Sequence, residues 1–115
     1  MDKNELLSRT KKFALEVIDL VNSLQNTPSN KKIGNQLLDS GTSVGANYRA
    51  ACRGKSKADF IYKIKVVEEE ADESLFWLEL LKETNPSTAL IDKLFNEADE
   101  ITAIFTAIAK TSKGL

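Results

Sequence analysis

Residues 53–84 read RGKSKADFIYKIKVVEEEADESLFWLELLKET, and this stretch contains both of the signals that decide the fold. The first signal is a break at residues 53–56, where Gly54 interrupts the pattern and Ser56 can cap a following helix. Asp59 stands three residues after Ser56, which is the spacing of a capping box in which Asp59 bonds back to the Ser56 backbone. The second signal is an apolar stripe that recurs every three or four residues and predicts a helix buried along one face. Its members are Phe60, Ile64, Val67, Ala71, Leu75 and Leu78.

Similar breaks and stripes divide the rest of the chain, so that four helices are expected in all. The other breaks are Asn26-Thr27-Pro28-Ser29 and Asn85-Pro86-Ser87, and in each the serine can cap the next helix. The remaining stripes consist of Leu6, Phe13, Val17, Leu20, Val21 and Leu24, then Ile33, Leu37, Val44, Tyr48 and Ala51, and finally Ile91, Leu94, Ala98, Ile101, Phe105 and Ile108. We expect helices at about residues 4–25, 30–53, 57–84 and 88–111. Short connections make consecutive helices antiparallel, so the sequence predicts an all-α fold, a single up-down-up-down four-helix bundle over residues 1–115.

The composition agrees with one ordered helical domain and excludes several classes of protein. The chain has 115 residues, 42% hydrophobic and 29% charged, with five glycines and two prolines. It has no histidine, which excludes histidine metal ligands and histidine-based nucleophile pairs. No apolar run approaches the roughly 20 residues that span a bilayer, and the opening MDKNELLSRTKK lacks the apolar region of a signal peptide. We therefore expect a cytoplasmic protein that does not associate with membranes.

Two features of the second predicted helix allow more than one interpretation. The run from Asp39 to Ala46 is rich in small residues and includes Gly41 and Gly45, which are poor helix formers. We interpret the run as a place of close helix approach or a kink, and the alternative is a gap where the backbone contacts a ligand. Cys52, the one cysteine, cannot form an internal disulfide, which suits a reducing compartment. We interpret it as a small core residue rather than a nucleophile.

The third predicted helix has more apolar residues than the core of one bundle requires. Val66, Phe76, Trp77 and Leu80 point roughly opposite the Ala71 stripe, so the helix is apolar on nearly all sides around Trp77. A helix of this kind is usually buried on both sides, and an exposed aromatic patch marks an interaction surface. We predict that these four residues form a homo-oligomer interface, and the alternative is that Trp77 lies at the edge of the bundle.

The charges are divided between the two halves of the chain although the net charge is only −1. Residues 1–65 carry twelve basic and six acidic side chains, whereas residues 66–115 carry four basic and eleven acidic ones. The basic half contains a cluster that could hold phosphates of RNA or DNA through contacts that do not depend on sequence. The candidate contacts are Arg49, Arg53, Lys55, Lys57 and Lys63. The alternative is a solvated face that pairs with acidic residues.

The acidic half contains a pattern that could belong to a metal site. Glu69-Glu70-Ala71-Asp72-Glu73 reads Glu-Glu-x-x-Glu, and residues 97–100 follow as Glu-x-x-Glu. All-α nucleotide pyrophosphohydrolases of the MazG type use a similar Glu-Glu-x-x-Glu followed by Glu-x-x-Asp, and such carboxylates can hold Mg²⁺. Here the second element ends in Glu100, and Glu69 and Glu73 face away from the core stripe, where carboxylates need no metal. We therefore predict no metal, no cofactor and no catalytic residue, with a Mg²⁺-dependent enzyme of this type as the alternative.

The order of several motifs resembles one bacterial family over essentially the whole chain. The motifs are TSVGANYRAACR at 42–53, SKADF at 56–60, VEEEADES at 67–74 and WLELL at 77–81. They resemble the bacterial four helix bundle protein family, also called the S23 or 23S rRNA intervening-sequence protein family. The resemblance implies a bundle that assembles into a ring, typically a homopentamer, with no established enzymatic activity. It also implies genes that are sometimes carried inside intervening sequences of 23S ribosomal RNA genes.

A second resemblance bears on partners of the protein. The accessory protein of diversity-generating retroelements is similar in fold and ring assembly, but it is strongly basic and partners a reverse transcriptase and nucleic acid. This chain is nearly neutral. From residues and resemblance together, we expect a non-enzymatic, self-assembling bundle with a scaffolding or RNA-associated role, whose partners are copies of itself and RNA or DNA.

Overall fold

The computed structural model describes residues 1–86 and 88–114, and its regular structure there consists of four helices. They are α1 (Lys3–Ser23), α2 (Pro28–Cys52), α3 (Lys57–Thr84) and α4 (Ala89–Gly114). The helices pack in the order of the chain, and α4 returns to make a less extensive contact with α1. The molecule measures 45 × 20 × 19 Å, which is about the length of α3 at 1.5 Å per residue and the width of two helices side by side.

Contacts between side chains show that neighbouring helices are antiparallel. In each pair, residues early in one helix contact residues late in the other: Asn30 with Asn85 and Ser40 with Ser74 between α2 and α3, and Thr106 with Glu68 and Lys82 with Asp92 between α3 and α4. The same relation holds for the contacts of α1 with α2 and with α4. The predicted up-down-up-down four-helix bundle is therefore confirmed.

The break at residues 53–56 caps α3 as predicted, with one difference. The Ser56 hydroxyl accepts the Asp59 N–H at 3.1 Å. The Asp59 carboxylate, however, accepts the Lys55 N–H at 3.3 Å and the Lys63 ammonium at 2.9 Å, so the predicted return bond to Ser56 is wrong. An aspartate is one methylene shorter than the glutamate of a standard capping box, and Lys63 one turn later attracts the carboxylate.

At the other two breaks, a threonine hydroxyl accepts a backbone N–H of the helix that follows. Thr27 caps α2 and Pro28 occupies the first helical turn, where its missing N–H costs nothing, so Ser29 already lies inside the helix. For α4, the predicted cap Ser87 lies outside the described residues. The Thr88 hydroxyl accepts the backbone N–H three residues later at 3.2 Å, which is the bond that a helix cap makes.

The core consists mainly of the predicted stripes. The largest side chains that are fully buried include Phe13, Leu20, Leu37, Ile64, Leu78, Leu94, Ile101 and Phe105. Six members of the predicted stripes are only partly buried: Val21, Leu24, Ile33, Phe60, Leu75 and Ile108. A buried hydroxyl pair, which the sequence analysis did not foresee, lies in the same core. The Ser74 hydroxyl donates to that of Ser40 at 2.8 Å between α3 and α2.

The small residues of α2 bring α1 and α2 close together. A Cβ at Gly41 would lie 2.9 Å from Val17 Cγ2, and one at Gly45 would lie 3.3 Å from the Thr10 carbonyl oxygen. No described glycine has a positive φ, so these positions need space rather than backbone freedom. The structure therefore confirms close approach at this run, and α2 continues through it without interruption.

Candidate functional site

A groove of about 500 Å³ opens on the outside of the bundle between α1 and α2. Its floor is largely apolar and includes Leu7, Ala14 and Ala46. Four cations also line it: Lys3, Lys11, Arg49 and Arg53. No aspartate or glutamate occurs among the described residues that line the groove. The groove therefore combines an apolar floor with a wholly basic rim, which suits an occupant that is both apolar and acidic.

The same small residues that bring α1 and α2 together also shape the groove. Gly45 lies against the Thr10 backbone, while Thr42 and Ala46 line the groove with short side chains. The Thr10 hydroxyl donates to the Leu6 carbonyl at 2.9 Å, so it would have to give up this bond to donate to an occupant of the groove. The close packing with α1 and the groove thus occur on adjacent faces of α2.

The five predicted phosphate contacts differ in their surroundings. Arg49 and Arg53 line the groove, whereas Lys55 and Lys57 lie exposed on either side of Ser56, where α3 begins. Lys63 is bound to Asp59 at 2.9 Å, and this contact, which comes first among the causes, lowers the pKa of Asp59. Lys63 therefore differs from the other four residues in that a carboxylate holds it.

Lys3 and Lys11 are site residues that the sequence analysis missed. Both lie on α1, and the structure places them across the groove from the two arginines of α2. A signal was present, because Lys3, Leu7, Ala14 and Lys11 follow the three- and four-residue spacing of one helical face. The sequence did not show that this face of α1 lies beside Arg49.

The outward side of α3 carries exposed aromatic rings among carboxylates. Phe76 is 51% exposed and Tyr62 is 69% exposed. The Phe76 and Trp77 rings meet edge to face with centroids 5.0 Å apart, and Trp77 Nε1 donates to the Glu73 carboxylate at 3.2 Å. We call this surface the α3 outer face, which consists of Tyr62, Val66, Glu69, Glu73, Phe76, Trp77 and Leu80.

The four predicted interface residues differ in exposure on the α3 outer face. Phe76 is exposed, whereas Val66, Trp77 and Leu80 are half-buried. Trp77 also packs against the core cluster, so the edge position that we gave as its alternative describes part of its environment. Tyr62 is the most exposed aromatic residue of the face, and it was missed because it lies outside the apolar run, one turn before Val66.

Two carboxylates of the possible metal motif, Glu97 and Glu100, form ion pairs instead. The Arg9 guanidinium holds Glu97 at 2.6 Å and Glu100 at 2.9 Å, which ties α1 to α4. Within residues 1–86 and 88–114, no three potential ligands converge as a metal site requires. Burial, followed by repulsion from Glu73 and Glu69 and from Asp39 of α2, raises the pKa of Glu70. The acidic part of α3 is thus a crowded negative surface.

The interpretation of Cys52 as a core residue needs a correction. Its side chain packs against the core but is only partly buried, because it lies at the edge of α2 that faces the groove. Its neighbour Tyr48 is the buried member of the pair, with its ring 5.2 Å from that of Phe105. Burial first and the contact with Cys52 second raise the pKa of Tyr48 to about 12.

Comparison with known proteins identifies the family. The model of the 23S rRNA-intervening sequence protein family matches residues 2–107. The chain belongs to this family. A solved crystal structure, that of a protein of unknown function from the S23 ribosomal protein family of Bacteroides thetaiotaomicron, is 35% identical. The match covers 96% of this chain and 99% of that chain, with a TM-score of 0.82. No curated protein matches the chain significantly.

Family membership agrees with the earlier resemblance and assigns no reaction. The family description names an intervening sequence, and the similar structure is described as having unknown function, so neither indicates an enzyme. In the part of this intervening-sequence protein that the structure describes, no helix is both long and apolar enough to cross a membrane.

Proposed function

We propose that this protein is a non-enzymatic cytoplasmic scaffold that assembles with copies of itself and associates with RNA. The observation that carries self-assembly is the α3 outer face, where Phe76 is 51% exposed beside the half-buried Trp77, and Tyr62 is 69% exposed about 21 Å earlier along the same helix. Aromatic residues are large contributors to binding at protein interfaces, and contiguous apolar patches on soluble proteins mark interaction sites.

The RNA association is supported by the end of the bundle where α2 stops and α3 starts. Arg53, Lys55 and Lys57 are exposed there within five residues of one another. Within the described parts of the chain, direct ion pairs engage Arg9, Lys63, Lys65, Lys82 and Lys93 instead. Cations that are not held by a carboxylate lose little when they approach a phosphate. Arg49 and Arg53 also line the groove between α1 and α2.

Assembly would make these few contacts effective. One subunit offers only a small number of phosphate contacts, but an assembly repeats them and raises the effective concentration of each. Such binding releases counterions and therefore weakens steeply as salt rises. It has little sequence preference, because phosphate contacts do not read bases.

A titration with structured RNA at two salt concentrations tests the RNA association. We expect wild type to bind at low salt, and we expect Lys55→Glu/Lys57→Glu to weaken that binding at least tenfold. The matched control is Lys31→Glu/Lys32→Glu, which makes the same charge change at the opposite end of α2, where both lysines are exposed. We expect it to change the affinity much less. Absent binding at low salt, or equal losses in both variants, contradicts RNA association through this end.

A further inference from the structure

The groove between α1 and α2 has a charge that nothing in its own lining neutralises. Lys3, Lys11, Arg49 and Arg53 line it, all are exposed, and no carboxylate is among its described lining residues. None of these four side chains belongs to a direct ion pair within residues 1–86 and 88–114. Between the cations lies an apolar floor, which water solvates poorly. The occupant that the groove fits best therefore presents apolar side chains and carboxylates together.

The α3 outer face has those two properties. Phe76 and Trp77 provide an apolar ridge, and Glu69 and Glu73 lie on the same side of the helix. The neighbouring Glu70 adds to the negative charge, and repulsion within this group contributes to its raised pKa. A cationic partner would relieve that repulsion, whereas an acidic partner would increase it.

We propose that the groove of one copy receives the α3 outer face of a second copy of this chain. The proposal rests on the self-assembly proposed above and names the two surfaces that meet. The sequence is basic before residue 66 and acidic after it. In this pairing, the basic half of one subunit contacts the acidic half of the next. Electrostatic complementarity of this kind fixes orientation and suppresses incorrect pairings.

The groove agrees in length with the part of the α3 outer face that carries the carboxylates and the aromatic ridge. The groove follows α1 from Lys3 to Ala14, which is about 16 Å at 1.5 Å per residue. The α3 outer face from Glu69 to Leu80 follows a helix for the same distance. A straight helix of that length can therefore lie along the groove with its aromatic ridge and its carboxylates both facing the groove.

The charges disfavour the main alternative, in which two α3 outer faces pair with each other. A symmetric pairing of that kind would bring two faces together that each carry Glu69 and Glu73 and no cation. Groove-to-face pairing is instead heterologous, so that a pair keeps one free face, on the copy whose groove is filled, and one free groove, on the other copy. Such an interface continues until it closes into a ring or extends into a filament.

Mixing two variants that cannot assemble tests the pairing. The groove variant, Ala46→Glu/Arg49→Glu, places negative charge in the groove and keeps the α3 outer face intact. The face variant, Glu73→Gln/Phe76→Ala, removes the ridge and one carboxylate and keeps the groove intact. Ala46 and Arg49 lie on α2, and Glu73 and Phe76 lie on α3. All four side chains are exposed, so we expect both variants to fold. In sedimentation velocity, each alone should be a monomer.

The mixture should form a one-to-one complex of twice the 12.7 kDa monomer mass, because one intact groove then meets one intact face. The matched control is Ser8→Glu/Lys12→Glu, which makes the same charge change at exposed positions of α1 outside the groove and should assemble like wild type. A monomeric wild type contradicts self-assembly itself. If wild type assembles but the two variants remain monomers when mixed, or if the groove variant alone still assembles, the pairing of groove and face is wrong.

Discussion

The close approach of α1 and α2 predicts an unusual result for the substitution Gly41→Ala. Alanine normally stabilises a helix interior by about 1 kcal/mol relative to glycine. Here the added Cβ would lie 2.9 Å from Val17 Cγ2 and 3.0 Å from Val17 Cγ1, whereas carbon atoms in good contact are about 3.5–4.0 Å apart. Val17 is fully buried and β-branched, so it cannot turn away and α1 itself must move.

The magnitude follows from these two opposing effects. Overpacking of a tight core costs about 1–3 kcal/mol, and the gain in helix propensity offsets about 1 kcal/mol of it. The net loss is therefore about 0–2 kcal/mol. Because the contact with Val17 is so short, we expect Gly41→Ala to lower the free energy of unfolding by about 1–2 kcal/mol, the upper half of that range. Gly34→Ala should cost less, because its Cβ would lie 3.3 Å from Val21 Cγ1, and Val21 is only partly buried.

A double-mutant cycle with Val17→Ala separates the clash from other effects. The free energy of unfolding is measured by denaturant titration at one protein concentration, because assembly couples stability to concentration. In the Val17→Ala background the conflicting methyl groups are absent, so Gly41→Ala should become stabilising. The reasoning is refuted if Gly41→Ala stabilises the protein in the wild-type background, or if the two substitutions are additive.

Three further predictions concern contacts within the bundle. Ser74→Ala should lower the free energy of unfolding by about 1 kcal/mol in thermal or chemical unfolding, because it leaves the buried Ser40 hydroxyl with a weak bond, and Ser40→Ala/Ser74→Ala should recover most of that loss. Arg9→Ala should lower the free energy of unfolding by about 1–2 kcal/mol. Arg9→Lys should lower it by less than Arg9→Ala but should not match wild type, because an ammonium cannot make the two bonds that the guanidinium makes to Glu97. A stability of Arg9→Lys equal to that of wild type would contradict this. The folded state raises the pKa of Tyr48 from 10.0 to about 12, so it favours the neutral phenol. The contribution of this phenol to the free energy of unfolding is therefore complete below pH 10 and is lost as the pH rises through 12. Unfolding titrations should therefore show Tyr48→Phe gaining stability relative to wild type over that range, and parallel pH profiles would refute the assignment.

The fold could be predicted from the sequence because its determinants are local. The three- and four-residue stripes and the Ser56 cap depend only on residues within one helix or one turn, and both were found in the structure. The errors at Ser29 and Asp59 were also local, since Pro28 prefers the first helical turn and an aspartate is too short for the full capping box.

The candidate site was predictable only in part, because it depends on how helices are placed next to one another. Arg49 and Arg53 stood out as cations one turn apart, but the sequence did not show that Lys3 and Lys11 lie across from them. Lys63 was grouped with the other cations by proximity in the chain, although Asp59 one turn earlier binds it. The same limit applies to the pair of amides that joins Asn30 to Asn85 at 3.1 Å, which no local pattern indicates.

Sedimentation velocity of the wild-type protein over a wide range of concentration tests self-assembly, the central claim, most directly. The charge segregation and the exposed α3 outer face predict an assembly that contains two or more copies of the 12.7 kDa chain. The same measurement on Glu73→Gln/Phe76→Ala should show the monomer. A wild-type protein that sediments as a single 12.7 kDa species at every concentration would contradict the claim.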